Sequence, residues 1–579
     1  MKKQTVDGED PHLIDLHPRG QTGAEALLRS LKRNGIDYIF SNSGTDFPPI
    51  IEAIAQIPPD DRPEALLVPH ETAGISMAHG YYLTTGRAQA VMVHVNVGLA
   101  NTVMGVINAA SDNVPVLVMS GRTPITERGH EGSRVTPIQY GQEMFDQSAL
   151  VREVTKYEYE MRYPEQGDSL PTRAISVARA APAGPVYLSL PREPLMATVP
   201  AGLADATPQA AASLSAPDPA AISLLAGWIA SADAPVILCQ RSAPDGAAAA
   251  ALASLCEAHA IAVCEPFSVR NVMPGNHPML IGHDPKAALQ DADLVIVLDS
   301  GVPWIEATGR PQDNARICHI GPDPAFRRMP VRGYRSDLSI TADPALALAA
   351  LSQALPKAGA HVAKRRMHIS AQAAARREAT DAFAAQGATS PMSGEWLSRC
   401  LSEVMDEEAV VFNELGALPA FMRAHGPNRI FSNPHSGGLG WALPAALGAQ
   451  LADRERLVIA CVGDGSYMFA NPVACHQIAE ALNLPILTII KNNGLWNAVR
   501  RSVVAAYPTG AAALANTMPL TSLAPAPDYG FVARASRAYT ERVQNGQDLP
   551  AALARAIEVI RKDKRQVVLD VSISVSDRH

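Results

Sequence analysis

Short apolar runs alternate with longer helix-forming stretches along much of this chain. The runs lie at 38–40, 65–68, 90–95, 114–121 and 184–191, then at 234–239 and 293–299, and finally at 409–414, 457–465, 484–494 and 566–573. Such alternation is typical of parallel sheets that carry helices on both faces. It predicts an α/β protein made of doubly wound parallel-sheet domains.

Two segments interrupt the alternation and divide the chain into three blocks. Residues 196–218 are rich in Ala and Pro, and residues 356–388 are charged and Ala-rich, so we interpret both as linkers. The predicted division is a polar N-terminal tail at 1–20 followed by domains at 21–195, 219–355 and 389–579. With 579 residues the chain is too long for a single core, which agrees with several domains.

The composition indicates a folded globular protein. Hydrophobic residues make up 47% and charged residues 18%, with a formal net charge of −8 and no basic block, so a nucleic-acid partner is not expected. The N-terminus, MKKQTVDGEDPHLIDLHPRG, lacks the apolar segment of a signal peptide, and no apolar run reaches the roughly 18 residues of a membrane span. The 7 cysteines are scattered without a CxxC pair, which favours a reduced, cytoplasmic setting.

One apolar run ends in the sequence CVGDGSYMFANP at 461–472. Asp464 directly follows a buried strand, and a carboxylate there is costly unless something positive meets it. The pair Asn471–Pro472 is typical of a helix start, and the helix is expected to run to about Leu482. The next strand ends in the sequence NNG at 492–494, so the segment is predicted to be a strand–helix–strand unit.

The two strands of such a unit are parallel, so their carboxyl ends share the sheet edge where open α/β sheets bind ligands. Asp464 and Asn493 should therefore lie close together although 29 positions separate them. A carboxylate, an amide oxygen and a backbone carbonyl suit Mg²⁺ or Ca²⁺, with phosphate oxygens as further ligands. Gly463 and Gly465 would let backbone N–H groups approach a phosphate. Taken alone, the GDG sequence favours an ordinary turn capped by an aspartate, and only its combination with the helix and the NNG strand end favours a ligand site.

The order of GDG, helix, strand and NNG resembles the signature of thiamine diphosphate enzymes. The resemblance implies that Asp464, Asn493 and the carbonyl of Leu495 hold Mg²⁺, which binds the diphosphate of the cofactor. It also implies neighbouring cofactor-binding residues at Gly463, Gly465 and Ser466. The interval from Asp464 to Asn493 is slightly longer than is usual in the family, and we expect the extra residues near FANPVA at 469–474.

Such enzymes also need a glutamate that activates the cofactor, and the segment VPHETAGISMAHGYYLTTGRAQAV at 68–91 contains a candidate. Glu71 follows a predicted strand and begins a helix that ends near Gly86. A glutamate in the first turn of a helix is commonly a dipole or capping residue. The surrounding residues nevertheless resemble the family's glutamate segment, which implies that Glu71 hydrogen-bonds the pyrimidine N1′ atom and so promotes loss of the thiazolium C2 proton.

The resemblance is strongest over 436–466, SGGLGWALPAALGAQLADRERLVIACVGDGS, which is similar to benzoylformate decarboxylase and to the wider acetolactate synthase group. It implies that Leu439 is the apolar wedge that bends the cofactor, and that the carbonyl of Gly437 accepts a hydrogen bond from its N4′ atom. A bulky side chain between glycines can project into a closely packed ligand, in agreement with this role. The resemblance spans roughly 21–574 and implies the order pyrimidine-binding, middle and diphosphate-binding domain.

Two further segments carry candidate catalytic residues. Thr45 in FSNSGTDFPP matches a serine that contacts the substrate carboxylate in benzoylformate decarboxylase, and His94 in VMVHVNVGLAN matches an active-site histidine of that enzyme. Histidine suits proton transfer near neutral pH. His94 interrupts a predicted apolar strand, so a core histidine with satisfied hydrogen bonds is the alternative. His70, next to Glu71, is a further catalytic candidate, with capping or packing as its alternative.

The chain also departs from the decarboxylase pattern. A histidine of the middle domain is expected near SGVPWIEATG at 300–309, but Ile305 or Glu306 takes its place. Comparison with acetolactate synthases places Gln142 and Phe145 near the pocket. The sequence PVILCQRSAPDG lacks a run of glycines, so an FAD site in the middle domain is not indicated. These departures concern the substrate and leave the cofactor assignment unchanged.

The resemblance implies a thiamine diphosphate- and Mg²⁺-dependent lyase that decarboxylates a 2-oxo acid and releases an aldehyde, or joins the acyl group to a second carbonyl compound. The alternatives are an acetolactate synthase-like carboligase and a 2-hydroxyacyl-CoA lyase. A non-catalytic regulatory subunit is disfavoured because Glu71, Asp464 and Asn493 are intact, and an NAD-dependent dehydrogenase because no GxGxxG follows the first strand of a block. The resemblance also implies a homodimer or homotetramer in which Glu71 and Asp464 of one site come from different chains.

Overall fold

The structure, a computed structural model, describes residues 20–203, 205–241 and 243–576. These residues form three six-stranded sheets in which all strand pairs are parallel. The predicted α/β class with three doubly wound domains is thereby confirmed. The predicted N-terminal tail, apart from Gly20, lies outside the described residues. No helix within the described ranges is long and apolar enough to cross a membrane.

The first domain contains the sheet β2-β1-β3-β4-β6-β5. Its strands are β1 (Tyr38–Asn42), β2 (Glu64–Leu67), β3 (Gln89–Val93), β4 (Val116–Arg122), β5 (Glu158–Glu160) and β6 (Val186–Pro191). Its helices are α1 (Gly23–Arg33), α2 (Pro48–Gln56), α3 (Glu71–Thr85), α4 (Val95–Ser111), α5 (Ile138–Gly141), α6 (Gln166–Arg179) and α7 (Arg192–Met196). The central strands β3 and β4 are buried along almost their whole length, as expected for a sheet covered on both faces.

The middle domain contains the sheet β12-β11-β10-β7-β8-β9. Its strands are β7 (Pro235–Cys239), β8 (Ala262–Cys264), β9 (Leu280–Gly282), β10 (Leu294–Leu298), β11 (Arg316–Gly321) and β12 (Leu338–Thr341). Its helices are α8 (Pro219–Ser231), α9 (Ala247–His259), α10 (Pro285–Leu289), α11 (Pro344–Ala354) and α12 (Ala360–Ala385).

The third domain contains the sheet β14-β13-β15-β16-β18-β17. Its strands are β13 (Val410–Glu414), β14 (Ile430–Ser432), β15 (Val458–Gly463), β16 (Leu487–Asn492), β17 (Tyr539–Val543) and β18 (Val567–Ser572). Its helices are α13 (Gly394–Val404), α14 (Ala442–Ala452), α15 (Asp464–Phe469), α16 (Pro472–Ala481), α17 (Asn497–Ala506), α18 (Ala511–Leu514), α19 (Tyr529–Arg534) and α20 (Leu549–Glu558).

The first and third domains meet where α3 packs across α14. The two helices approach closely because they cross at small residues: a Cβ atom at Gly80 would overlap the backbone of Ala445, and one at Gly448 would overlap the backbone of Met77. One cluster of buried apolar side chains continues from the first sheet through these helices to the third sheet. The helix that begins at Glu71 is therefore fixed to the domain that contains Asp464.

We expect Gly80→Ala to destabilise the protein, because the added methyl group meets backbone atoms that cannot rotate away. Overpacking of this kind costs about 1–3 kcal/mol or more in the free energy of unfolding. The matched control is Gly227→Ala in α8, where a Cβ atom would meet open space and the substitution should stabilise the helix by about 0.5–1 kcal/mol. Thermal unfolding of both variants checks this, and a Gly80→Ala melting temperature equal to that of the parent would contradict the described helix contact.

The segment at 356–388, interpreted from its composition as a linker, contains the 26-residue helix α12. The helix is tied to the middle domain by Arg365, whose guanidinium donates to the carbonyl oxygens of Ala260 (2.8 Å), Ala232 (2.5 Å) and His259 (2.7 Å). These carbonyls belong to the C-terminal ends of α8 and α9, where a cation is favourable. The Ala-rich composition thus reflects high helix propensity in this segment.

Three local expectations differ from the structure. His94 does not interrupt a strand: β3 ends at Val93, and His94 is the residue that precedes α4. The GDG sequence is not followed by a plain turn, because α15 begins at Asp464 itself. Helix α16 starts at Pro472 as predicted, but Asn471 makes no capping hydrogen bond and has a φ angle of 51°. The differences at His94 and Asp464 arise at strand ends, where a short apolar run gives little information on how the chain turns.

Candidate active site

Asp464 lies at the carboxyl end of β15, and its carboxylate contacts the turn that follows the neighbouring strand β16. Oδ2 accepts hydrogen bonds from the backbone N–H groups of Gly494 (2.7 Å) and Asn493 (3.2 Å), and Oδ1 accepts one from Gly465 (2.9 Å). The parallel pairing of β15 with β16 brings these residues together. The side chain is 3% exposed, so the carboxylate depends on these donors for its stabilisation.

Backbone N–H groups, rather than a positive side chain, are therefore the groups in direct contact with Asp464. Burial raises the pKa of this carboxyl above its ordinary value, although the three N–H donors partly offset the effect. Lys491, one strand position before Asn492, is a buried cation whose pKa is lowered by burial, and the charge of Asp464 acts on it in the opposite direction. A buried carboxylate with spare lone pairs and no direct ion pair can accept a metal ion without first breaking a salt bridge.

Asn493 and Leu495 extend the set of oxygen atoms around Asp464. Asn493 Oδ1 accepts a hydrogen bond from the N–H of Leu495 (3.0 Å), and the carbonyl of Leu495 accepts one from the N–H of Asn497 (2.8 Å). Each oxygen retains a second lone pair. The described residues contain no cluster of three or more His, Cys, Asp or Glu suited to a metal. One carboxylate, one amide and one carbonyl are nevertheless a donor set that fits Mg²⁺ with phosphate and water as further ligands.

A cavity of about 730 Å³ opens at the carboxyl edge of the third sheet and extends to the middle domain. This volume lies in the range of cofactor and small-molecule sites. The predicted cofactor and metal residues that line it are Gly437, Gly463, Asp464, Gly465, Ser466, Asn493 and Leu495. Leu439, the predicted wedge, is half-buried and does not belong to the described wall of the cavity. The residues in the wall thus fit a diphosphate with its metal ion.

Two buried polar side chains hold the loop that carries Gly437 and Leu439. Asn108 of α4 donates to the carbonyl of Gly438 (2.9 Å) and accepts from its N–H (3.2 Å). Glu414, at the end of β13, accepts from the N–H groups of Gly440 (2.6 Å), Trp441 (2.8 Å) and Ala442 (2.7 Å). The backbone on both sides of Leu439, at Gly438 and at Gly440, is therefore held by buried side chains.

Glu414 stabilises the N-terminus of α14, because its carboxylate takes N–H groups that have no partner within the helix. Burial raises the pKa of Glu414 to about 7, while these hydrogen bonds act in the opposite direction. Gly437 itself has a φ angle of 70°, and a Cβ atom there would meet open space. Glycine is therefore required by the backbone conformation at this position, and the space beside it is free for a ligand.

Glu71 begins α3 and is 7% exposed. Its Oε2 atom accepts a hydrogen bond from Nδ2 of Asn101 in α4 (3.1 Å). A Cβ atom at Gly98, one turn earlier in α4, would lie 3.2 Å from Oε1, so the glycine keeps room for the carboxylate. Asn101 and Asn108 are two turns apart on α4, which separates the Glu71 carboxylate from the Gly438 contact by about 10 Å along the helix.

His94 lies just before α4, with its two ring nitrogens in contact with different partners. Nδ1 makes a short hydrogen bond to Oδ1 of Asp46, and Nε2 lies 3.1 Å from the side-chain amide nitrogen of Gln142. The hydrogen bond to Asp46 is the main cause that raises the pKa of His94; burial opposes it, and the charges of Asp46 and Glu71 add to it. Both ring nitrogens thus have hydrogen-bond partners and the side chain is 18% exposed, so the catalytic role of His94 stays a prediction beside the alternative of a satisfied core histidine.

The other two predicted catalytic residues of the first domain have different surroundings. His70 is the N-cap of α3, and its Nδ1 atom accepts from the N–H of Thr72 (3.3 Å). That contact leaves the proton of the neutral ring on Nε2. Thr45 is exposed in the turn between β1 and α2. His70 thus has a capping role whatever else it does, while Thr45 is free to contact a ligand.

The middle domain supplies an apolar wall of the cavity. Phe267, Val302 and Ile305 line it. Of the two residues expected in place of a decarboxylase histidine, Ile305 lines the cavity, whereas Glu306 accepts a hydrogen bond from the indole N–H of Trp304 (2.7 Å). Phe145, which the synthase comparison places near the pocket, is fully exposed in this chain.

The predicted residues thus form two groups. The residues of the third domain surround the cavity, whereas Glu71, His94, His70 and Thr45 lie in the first domain and are not among its described lining residues. The first group places oxygen atoms and backbone N–H groups at the wall of the cavity, and the second consists of one carboxylate, two imidazoles and one hydroxyl group.

Three family models match the chain along its length. They are described as "Thiamine pyrophosphate enzyme, N-terminal TPP binding domain" over residues 21–150, "central domain" over residues 222–351 and "C-terminal TPP binding domain" over residues 415–571. The chain belongs to the thiamine pyrophosphate enzyme family. The two groups of residues described above therefore lie in the two cofactor-binding domains of a thiamine pyrophosphate enzyme.

Curated relatives of this thiamine pyrophosphate enzyme include both types of protein that the sequence resembles. The acetolactate synthase large subunit of Parasynechococcus marenigrum is 25% identical over 507 residues, which cover 84% of this chain and 78% of that protein. The benzoylformate decarboxylase of Pseudomonas aeruginosa is 26% identical over 503 residues, which cover 83% of this chain and 87% of that protein. The sulfoacetaldehyde acetyltransferase of Castellaniella defragrans is 23% identical over 595 residues, which cover 95% of this chain and 93% of that protein. The coarse class, a thiamine diphosphate-dependent enzyme of the decarboxylase and acetolactate synthase group, follows from these matches.

Solved structures support the same fold for this thiamine pyrophosphate enzyme. The thiamine diphosphate-dependent 4-hydroxybenzoylformate decarboxylase of Rhodococcus jostii RHA1 is similar with a TM-score of 0.75 and 23% identity, over 96% of this chain and 100% of that chain. The benzoylformate decarboxylase from Polynucleobacter necessarius gives a TM-score of 0.76 and 19% identity, over 96% of this chain and 99% of that chain. These likenesses concern the fold.

The structure adds residues to the site of this thiamine pyrophosphate enzyme that sequence reasoning missed. They are Asp46, Asn101, Asn108 and Glu414. A signal existed for Glu414, because it is an acidic residue at the end of a buried strand, as Asp464 is. No spacing rule connects Asp46 with His94, or Asn108 with Gly438, since those pairs meet only after the chain has folded.

Proposed function

We propose that this protein is a thiamine diphosphate- and Mg²⁺-dependent, non-oxidative decarboxylase of a 2-oxo acid with carboligase capacity. The observation that supports this best is the contact of the Asp464 carboxylate with the Asn493–Gly494 turn at the wall of the cavity. Asp464, Asn493 and the carbonyl of Leu495 would hold Mg²⁺. Gly437, Gly463, Gly465 and Ser466 would contact the cofactor, with Leu439 close by.

Thiamine diphosphate, when bound, supplies a carbon nucleophile and an electron sink for the loss of CO₂. The protein's task is then to handle protons and to position the substrate. Glu71 would hold a proton at the pyrimidine, in a buried position that excludes water. His94 would give or take a proton at the reacting carbonyl, and Thr45 and His70 would contact the substrate.

A panel of aliphatic, branched and aryl 2-oxo acids tests the proposal. The protein is incubated with thiamine diphosphate and Mg²⁺, and CO₂ and aldehyde are measured for each acid. At least one acid should release both in a cofactor-dependent manner. Cofactor-loaded protein that releases no CO₂ from any acid of the panel would overturn the proposal.

A second candidate function is an acetolactate synthase-like carboligase. The presence of Ile305 in the cavity wall favours it, because an isoleucine cannot donate the proton that aldehyde release requires. The same panel with an added aldehyde or ketone acceptor separates the two functions. A carboligase releases CO₂ mainly when the acceptor is present and forms a hydroxyketone. A 2-hydroxyacyl-CoA lyase would instead act only on the CoA thioester.

We expect the active protein to be at least a homodimer. Glu71 is not among the residues that line the cavity around Asp464, and both regions expose apolar side chains: Val97 (49%) and Ile107 (38%) on α4, and Phe469 (58%) and Val473 (59%) near α16. Exposed apolar side chains of this kind are typical of an interface. Light scattering should give at least twice the mass of the 61.3 kDa chain.

Complementation shows whether the site is shared. Glu71→Gln and Asp464→Ala proteins are mixed, dissociated and reassembled. If one site takes Glu71 from one chain and Asp464 from the other, each mixed dimer contains one intact site and activity returns. Fully active protein with the mass of a single chain, or mixed dimers without any regain, would contradict the shared site.

A further inference from the structure

Asp46 is a buried carboxylate that holds His94 through one oxygen and the start of α4 through the other. The side chain is 3% exposed. Its Oδ1 atom bonds His94 Nδ1, and its Oδ2 atom accepts from the backbone N–H of Val95 (3.2 Å). We propose that Asp46 is a positioning residue that fixes the tautomer and orientation of His94, and that Gln142 serves the opposite ring nitrogen. This inference rests on the proposed function in one respect: the proposed reaction requires His94 to transfer a proton.

Two glycines make room for this pair. A Cβ atom at Gly44 would overlap the imidazole of His94, and one at Gly121 would overlap the carboxylate of Asp46. Both side chains therefore pack against bare backbone, one on the loop after β1 and the other within β4. Such close packing on strand ends restricts the rotation of the ring and of the carboxylate.

The backbone beside His94 is strained. Val95 has a φ angle of 33°, in the left-handed region that β-branched residues rarely adopt. Asp46 helps to stabilise this strained conformation, because its carboxylate accepts a hydrogen bond from the backbone N–H of Val95, the first residue of α4. Because α4 also carries Asn101, which donates to Glu71, the same carboxylate helps to set the helix that contacts both acid–base residues.

The two hydrogen bonds of the imidazole determine which ring nitrogen of neutral His94 carries the proton. A carboxylate can only accept, so Nδ1 of His94 must carry hydrogen in its bond to Asp46. Nε2 is then the nitrogen that is free to give or take a proton. It lies 3.1 Å from the Gln142 amide, which donates N–H to the neutral ring. After His94 gains a proton at Nε2, the same amide can turn and accept through its oxygen, so Gln142 can partner both protonation states.

The test is Asp46→Asn, measured by NMR in cofactor-free protein and by kinetics in loaded protein. In the parent, nitrogen shifts should identify the neutral His94 ring as the Nδ1–H tautomer. An asparagine can direct its N–H toward Nδ1, so the variant should lose this tautomer. The pKa of His94 should fall, because Asp46 is the main group that raises it and Glu71 is the other facing charge.

In loaded protein, Asp46→Asn should lower kcat by about 10²-fold or more. KM and the affinity for thiamine diphosphate should stay within a few-fold of the parent, and the pH profile of kcat should shift toward lower pH. Asp60→Asn, an exposed substitution in the same domain, is the matched control and should leave the tautomer and the pKa of His94 unchanged.

Two results would overturn the inference: a neutral Nε2–H tautomer in the parent, or an unchanged tautomer and pKa in folded Asp46→Asn protein. The parent measurement decides the matter even if the variant does not fold. The NMR readout needs no substrate, so loss of the proposed decarboxylase function would appear separately, as cofactor-loaded parent protein without CO₂ release.

Discussion

Glu71→Gln is expected to remove most of the activity while leaving the cofactor bound. Glutamine has nearly the same size and can still accept a hydrogen bond from Asn101, so the start of α3 should keep its structure. It cannot share a proton with the pyrimidine of the cofactor. Loss of a positioned acid–base group lowers the rate by about 10²–10⁴-fold. Turnover with the 2-oxo acid identified in the panel measures the loss of activity, and calorimetric titration with thiamine diphosphate measures whether the cofactor still binds.

The matched control for this substitution is Glu64→Gln, which removes an exposed carboxylate at the start of β2 in the same domain. It should leave turnover unchanged. If Glu71→Gln retains turnover within a few-fold of the parent, Glu71 does not activate the cofactor and another acid must do so.

Asp464→Ala is expected to abolish Mg²⁺-dependent binding of thiamine diphosphate. The substitution removes the single carboxylate among the proposed metal ligands, in a cavity whose other ligands are neutral. Loss of a group that merely supports a metal ligand weakens binding by about 10–100-fold, and loss of the carboxylate ligand itself should exceed that. Calorimetric titration with the cofactor, with and without Mg²⁺, measures the effect.

Asp464 also accepts three backbone hydrogen bonds, so the alanine variant could lose local structure. Asp464→Asn keeps an oxygen acceptor in place and should show the binding defect without a change in melting temperature. Asp563→Ala, which removes an exposed carboxylate of the same domain, is the control and should bind like the parent. Unchanged affinity in both Asp464 variants would place the metal elsewhere.

The juxtaposition of Asp464 with Asn493 was predictable because it follows from a general rule. Strands joined by a helix in an α/β sheet are parallel, so the residues after β15 and β16 must meet at one edge. The same rule accounts for the correct prediction of the fold class, since the apolar runs were long enough to identify the central strands. The roles of Asp464 and Asn493 remain predictions until binding is measured.

The partners of these residues could not be predicted in the same way. Asp46 meets His94 across 48 positions, and Asn108 meets Gly438 across 330. Such contacts depend on where loops and helices pack after the sheets have formed, which no local pattern encodes. Helix α12 could not be placed from its sequence either. Its Ala-rich composition was compatible with a linker, and only the contacts of Arg365 show that the helix packs on the middle domain.

We expect this chain to bind thiamine diphosphate and to activate it through Glu71. The most direct measurement is the rate at which solvent deuterium replaces the C2 proton of the bound cofactor, followed by NMR after rapid acid quenching, because it requires no substrate. The parent protein with Mg²⁺ should exchange this proton much faster than the free cofactor does, and Glu71→Gln should return the rate to near that of the free cofactor. Exchange in the cofactor-loaded parent that is no faster than in free thiamine diphosphate would contradict the account.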